Sequence, residues 1–201
     1  MPERIVLASG NKGKLREFSE LLADCAITVL PQSDFGVPEV DETGLTFVEN
    51  ALIKARNAAA HTGLPAIADD SGIEVDALQG APGIYSARYA GPGADDAANN
   101  RKLLQVLEDV PDARRTAHFY CAIAMVRHAA DPAPMVAIGR WDGRILDAPT
   151  GAGGFGYDPL FRVETHGCSS AELPPAVKNS ISHRGQALAA LVRQLEDARG
   201  E

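Results

Sequence analysis

Short apolar runs and amphipathic helical patterns alternate along this 201-residue chain, and that alternation restricts it to a mixed α/β fold. Ile5-Val6-Leu7-Ala8 reads as a strand ending in Ser9-Gly10-Asn11. Leu15, Phe18, Leu21 and Leu22 then share one face of a helix. Residues 27–30 make a second short strand. Thr46-x-x-Glu49 has the form of a capping box, and Phe47, Ala51, Lys54, Ala55 and Ala58 follow it at helical spacing. Lys54 therefore falls on the half-buried side of that helix, where a lysine needs a reason.

Ala66-Ile67-Ala68 leads directly into Asp69-Asp70-Ser71-Gly72. Strand propensity carries the chain to Asp69, and Gly72 permits a turn with positive φ. A hairpin is therefore expected, with its second strand over 73–78. Carboxylates fixed at a strand end suit a magnesium ion or an activated water. They suit equally an Asp-rich turn that bonds its own backbone. Further on, Asp95 or Asp96 starts a helix carrying Leu103, Leu104 and Leu107, and residues 116–127 form a long strand. Asp142-Gly143, inside 136–146, reads as a hairpin turn. A last helix begins near Ser182 and buries Leu188, Leu191, Val192 and Leu195. No repeat or linker interrupts the chain, so residues 1–201 are expected to form a single domain.

A hydrophobic content of 45% is enough for one good core, and the net charge of -8 argues against a general nucleic-acid binder. No apolar run approaches the roughly 18 residues of a membrane span, and the N-terminus lacks the order of a signal peptide. Cys25, Cys121 and Cys168 are odd in number and far apart, which fits thiols in a reducing cytoplasm. The histidines show no metal-ligand spacing.

Three loops carry the remaining chemistry. Ser9-Gly10-Asn11-Lys12-Gly13-Lys14 joins a strand to a helix, where backbone amides, the helix N-terminus and two lysines suit a phosphate. Its spacing is not that of the nucleotide P-loop, and a capped basic turn is the alternative. Residues 151–159 contain a formal G-x-G-x-x-G, but Tyr157-Asp158-Pro159 disfavours the helix a dinucleotide site requires. Phe155 and Tyr157 can instead stack on a base, with Asp158 accepting from ring nitrogens, or enter the core. In Ser180-Ile181-Ser182-His183-Arg184-Gly185, Ser182 is a candidate N-cap that makes His183 and Arg184 first-turn donors. Lys178 lies one loop earlier. An acidic neighbour is the other explanation for Arg184.

Taken in order, SGNKGK at 9–14, ETGLTFVENALIKAR at 42–56, ADDSG at 68–72, PGIYSARYAG at 82–91, GGFGYDP at 153–159 and SHRGQAL at 182–188 resemble the inosine triphosphate pyrophosphatase family. The resemblance spans nearly the whole chain. It implies a long twisted mixed sheet flanked by helices, two lobes with a nucleotide cleft between them, and usually a homodimer. It also implies magnesium-dependent hydrolysis of ITP, dITP and XTP to the monophosphate and pyrophosphate. Carried over, Ser9, Gly10, Asn11, Lys12, Gly13 and Lys14 grip the triphosphate, and Lys54 reaches the phosphates. Glu42 and Asp70 match the magnesium carboxylates, with Asp70 at the proton-acceptor position. Ser71 contacts substrate, Phe155, Gly156, Tyr157, Asp158 and Lys178 line the nucleotide pocket, and His183 and Arg184 read the base. Pro174-Pro175 departs from the family and puts the path to Lys178 in question.

The chemistry agrees with these roles. Lys12, Lys14, Lys54 and Mg²⁺ would neutralise the leaving pyrophosphate while Asp70 deprotonates water. Asp69, pointing to the opposite face of an extended segment, is the expected supporting residue. A pyrimidine-preferring Maf-like pyrophosphatase and a triphosphate-binding module without catalysis are the competing readings. Nucleic acid and membrane are not expected partners.

Overall fold

Successive side chains of β1 (Arg4–Leu7) enter two different cores, and the rest of the architecture is built around that alternation. Ile5 and Leu7 pack with Phe18, Leu22, Ile67, Leu188 and Leu191, whereas Val6 packs with Ala55, Ala58, Ala66 and Ala68. The computed structural model describes residues 4–23 and 26–198; Cys25 and the side chains of Lys12 and Leu21 lie outside the described parts.

The described elements run β1, α1 (Lys12–Ala23), β2 (Thr28–Pro31), α2 (Phe47–Thr62), β3 (Ala66–Val75), α3 (Asp96–Val106), β4 (Thr116–Val126), β5 (Met135–Ile145), β6 (Phe161–Val163), β7 (Cys168–Ser169), α4 (Pro175–Ile181) and α5 (His183–Asp197). The strands form one seven-stranded sheet in the order β2-β1-β3-β4-β5-β6-β7. β1 is parallel to both β2 and β3, while β6 is antiparallel to β5 and to β7. This is the expected mixed sheet flanked by helices.

The chain divides into two compact units. The first comprises Met1–Asp70, Cys121–Gly139 and Gln186–Glu201, and its cores join α1 and α5 to one set of strand side chains and α2 to the other. The second comprises Ser71–Tyr120 and Arg140–Gly185, and its core gathers Ile73, Leu103, Leu107, Phe119, Trp141, Tyr157 and Phe161. No helix among the described residues is long and apolar enough to cross a membrane.

Two expected turns are absent. Residues 66–75 form one continuous strand through Asp69, Asp70 and Gly72, so the acidic segment is not a hairpin. Its 10 residues lie between β1 and the 11-residue β4 in the sheet, and a place in the interior of the sheet overrides the local turn preference. Asp142-Gly143 likewise sits inside the 11-residue β5. Glycine is required there for close approach, because a Cβ on Gly143 would meet the Arg162 carbonyl at 2.4 Å and the Phe161 ring at 2.6 Å. Gly143→Ala is expected to destabilise the fold by about 1–3 kcal/mol through overpacking, read as a lowered thermal midpoint.

The connection between β4 and β5 is held by Asp131, which is 1% exposed. Its carboxylate accepts from the Arg127 guanidinium, the Arg127 amide and the Ala133 amide. Arg56 of α2 donates to the carbonyls of Ala129 and Asp131. The hydrogen bond from Arg127 above all holds the Asp131 pKa well below the usual carboxylate range. A carboxylate depressed on folding adds stability that is present above its unfolded pKa of about 3.9 and is lost as pH falls through the folded value. The thermal midpoint of Asp131→Asn should lie below wild type at pH 7, with a gap that narrows progressively once pH drops below about 4.

Candidate active site

β3 separates its two aspartates by the ordinary alternation of a strand, and each meets a lysine from a different helix. Asp69 shares its side with Ile67, against the core containing α1, and its carboxylate pairs with Lys14 Nζ at 2.8 Å. Asp70 shares its side with Ala66 and Ala68, against α2, and its Oδ1 accepts from Lys54 Nζ at 2.9 Å. Lys54 also donates to Glu42 Oε1 at 2.9 Å, so two carboxylates converge on one ammonium. Burial raises the Asp70 pKa from its ordinary value, with Lys54 opposing the rise and the Glu42 charge adding to it. Burial works against the charge on Lys54, but the carboxylates around it, Asp70 first and then Glu42 and Asp69, together outweigh it and the lysine pKa is raised. The lysine on the inward face of α2 has its reason: it balances the buried Asp70 and the half-buried Glu42.

α2 starts where the sequence places it. Thr46 Oγ1 accepts from the Glu49 amide, while the Glu49 carboxylate accepts from the Leu45 amide and the Thr46 hydroxyl. These bonds hold the Glu49 pKa below its ordinary value, the Thr46 hydroxyl first.

At the start of α1, Asn11 Oδ1 accepts from the amides of Gly13 (2.8 Å) and Lys14 (3.1 Å), and Ser9 Oγ accepts from the Asn11 amide. The loop is thus a side-chain-capped helix start that carries Lys14 inward to Asp69. Gly10 has open space around it. Removing the Asp69 charge leaves Lys14 facing a buried position, and loss of one partner of such a pair costs about 3–5 kcal/mol. Lys14 keeps some solvent contact, at 18% side-chain exposure, which places Asp69→Asn at the lower end of that range. Chemical denaturation measures it.

The second unit holds a separate cluster. Phe155 is 54% exposed, and both Lys178 Nζ and the Arg184 guanidinium lie over its ring, 5.2 and 5.7 Å from the centroid. Arg184 Nη2 donates to Ser71 Oγ at 3.4 Å. The His183 ring is buried and stacks on Phe119, with centroids 4.7 Å apart and planes at 12°. Ser182 caps α5 by accepting from the Gly185 amide. The prolines before Lys178 do not disturb its path: Pro175 occupies the first turn of α4, where a missing N–H costs nothing.

Of the two readings open for the aromatics of this loop, Tyr157 takes the core one: it is 4% exposed and its hydroxyl donates to the Ser86 carbonyl at 2.8 Å, so its ring is not presented to a base. Burial raises its pKa strongly. Asp158 is not an acceptor waiting for ring nitrogens either. It is 3% exposed and already accepts from the Phe155 amide, Ser170 Oγ and Lys178 Nζ. Asp158 fixes the glycine-rich loop and places Lys178. Gly156 bridges outward, its amide donating to Asp96 and its carbonyl accepting from Asn100.

Sequence reasoning also passed over Asn50, which is fully buried and bonds both Asp70 and the Gly44 amide. Its position one turn before Lys54, on the same inward face, was the available signal.

The Ham1 family model matches residues 5–194. A dITP/XTP pyrophosphatase of Thioalkalivibrio sulfidiphilus is 64% identical over 193 residues, covering 96% of this chain and 98% of that protein. A dITP/XTP pyrophosphatase of Vibrio cholerae is 57% identical over 197 residues, 98% of each chain. The solved structure of a HAM1 protein from Coxiella burnetii has a TM-score of 0.93 at 53% identity, covering 96% of this chain and 98% of that one.

Proposed function

Because the chain belongs to the Ham1 family, we propose that it hydrolyses ITP, dITP and XTP, the noncanonical purine nucleotides, to the monophosphate and pyrophosphate. Such a reaction removes these nucleotides before they enter DNA or RNA. The observation that carries the reading is the convergence of Glu42 and Asp70 on Lys54, each at 2.9 Å, on the α2 side of β3.

Magnesium fits these donors. Among the described residues no group of three or more His, Cys, Asp or Glu is arranged to hold a metal. Mg²⁺ commonly takes only one or two protein carboxylates and completes its shell with water and substrate phosphates. Glu42 and Asp70 would be those two carboxylates. The ion would polarise the phosphoryl oxygens and offset charge on the leaving pyrophosphate.

The chain's own residues do the rest. Lys54, exchanging its carboxylate partners for phosphate oxygens, and Lys14 supply fixed positive charge to the triphosphate. Ser9, Gly10, Asn11 and Gly13 shape the turn that delivers Lys14, and Lys12 opens the helix. Asp70 takes the proton of the water that attacks the α-phosphorus. In the second unit, Ser71 bonds Arg184 and contacts substrate, Phe155 supplies the stacking face, and His183 and Arg184 donate to the 6-oxo group of hypoxanthine or xanthine. Family membership also supports a homodimer, which sedimentation at micromolar concentration tests.

The deciding experiment is a panel of nucleoside triphosphates assayed with Mg²⁺ for pyrophosphate against phosphate. ITP, dITP and XTP should release pyrophosphate, and ATP should be slower by about 10⁴-fold in kcat/KM, the discrimination typical of a site built to hydrogen-bond its substrate. Comparable ATP turnover, or phosphate as the product, would refute the reading.

A further inference from the structure

We propose that Asn50 is a positioning residue that holds the Glu42 segment and the Asp70 carboxylate at their working separation when Lys54 turns to substrate; this rests on the functional reading above. Lys54 and Asn50 lie one turn apart on α2 and grip the same two partners in different ways. Lys54 takes Asp70 Oδ1 and the Glu42 side chain. Asn50 takes the other oxygen, Asp70 Oδ2, through Nδ2 at 3.4 Å. Its Oδ1 accepts from the Gly44 amide at 2.8 Å, two residues beyond Glu42.

The two grips differ in permanence. A lysine required by phosphates cannot also serve as the tether between its carboxylates. The Asn50 amide is 0% exposed, and both of its polar ends are used, so nothing draws it elsewhere. Gly44 shows how closely the segment is applied: a Cβ there would lie 2.5 Å from Glu49 Cβ and 2.7 Å from Asn50 Oδ1. Asn50 thereby sets the segment by a backbone bond and Asp70 by a side-chain bond. Groups that orient metal-binding carboxylates typically change affinity or activity by 10–100-fold when removed.

The test compares wild type with Asn50→Ala, Gly44→Ala, the double variant, and Asn57→Ala. Asn57 lies on the same helix but donates to the Pro38 carbonyl. Mn²⁺ binding is measured by electron paramagnetic resonance with α,β-methylene-ITP present, alongside kcat, KM for ITP and the thermal midpoint. Asn50→Ala and Gly44→Ala should each weaken Mn²⁺ by about 10–100-fold and lower kcat comparably, with KM changed less than about threefold. The double variant should lose less than the product of the two single losses, since both changes disturb the Asn50–Gly44 contact, while a Cβ at residue 44 also meets Glu49 and Asn50→Ala also frees Asp70. Asn57→Ala should change neither Mn²⁺ affinity nor kcat, even if its midpoint falls. Unchanged Mn²⁺ affinity in Asn50→Ala, or equal losses in Asn57→Ala, overturns the proposal. A wild-type chain that binds Mn²⁺ but releases no pyrophosphate overturns the functional reading instead, and the Mn²⁺ comparison still decides the role of Asn50.

Discussion

Asp70→Asn should lower kcat for ITP by about 10³-fold or more while leaving nucleotide affinity within about threefold. General-base catalysis by a positioned carboxylate supplies about 10²–10⁴ in rate, and an amide cannot accept the proton of the attacking water. Among the described residues Asp70 is one of the two carboxylates bonded to Lys54, and its loss removes half of the proposed metal donors. Binding should survive because Lys14 and Lys54 remain to meet the phosphates, and Lys54 is released from one of its two ion pairs. Asparagine is close in shape, and Asn50 Nδ2 can still donate to its carbonyl oxygen, which keeps the local fold. Single-turnover kinetics with ITP separates the two quantities. Retention of wild-type turnover would remove Asp70 from the chemistry. A proportional rise in the ITP dissociation constant would reassign it to binding.

Much of this arrangement was legible in the residues. Helix periodicity placed Lys54 on the inward side of α2, and strand alternation separated Asp69 from Asp70, because both patterns report local geometry that the fold preserves. The turns at Gly72 and Gly143 were misread for a shared reason. A glycine close to an aspartate is locally a turn signal, but here each lies within a long strand of the seven-stranded sheet, whose pairing a local window does not see. Local pattern leaves Tyr157 open between a base and the core, because its hydroxyl finds its acceptor 71 residues away, at Ser86. Asp158 misled similarly, since Lys178 and Ser170 claim it from later segments. Asn50 escaped because apolar periodicity counts Phe47, Ala51, Ala55 and Ala58 and treats a buried amide among them as noise.

Arg184→Ala should cut the preference for ITP over ATP by about 10–100-fold, almost entirely through slower ITP hydrolysis. Hypoxanthine presents an oxygen at position six and adenine an amino group, so a guanidinium donor rewards the first and leaves a donor facing a donor with the second. A hydrogen bond to a charged group contributes about 1.5–3 kcal/mol, which sets the size of the effect. The geometry gives Arg184 a defined place for this task. It is 6% exposed, lies 5.7 Å from the centroid of the exposed Phe155 ring, and donates to Ser71 Oγ, so a base stacked on Phe155 would meet a guanidinium already oriented. His183 offers a second donor whose ring is held flat against Phe119. Arg184→Lys should recover little, because a lysine keeps the charge but not the planar fork. The measurement is kcat/KM for both nucleotides across wild type and the two variants. If ITP and ATP fall by the same factor, Arg184 serves the fold or the phosphates and base choice lies elsewhere; a selective loss for ITP, unrepaired by lysine, identifies the guanidinium as the reader of the 6-oxo group.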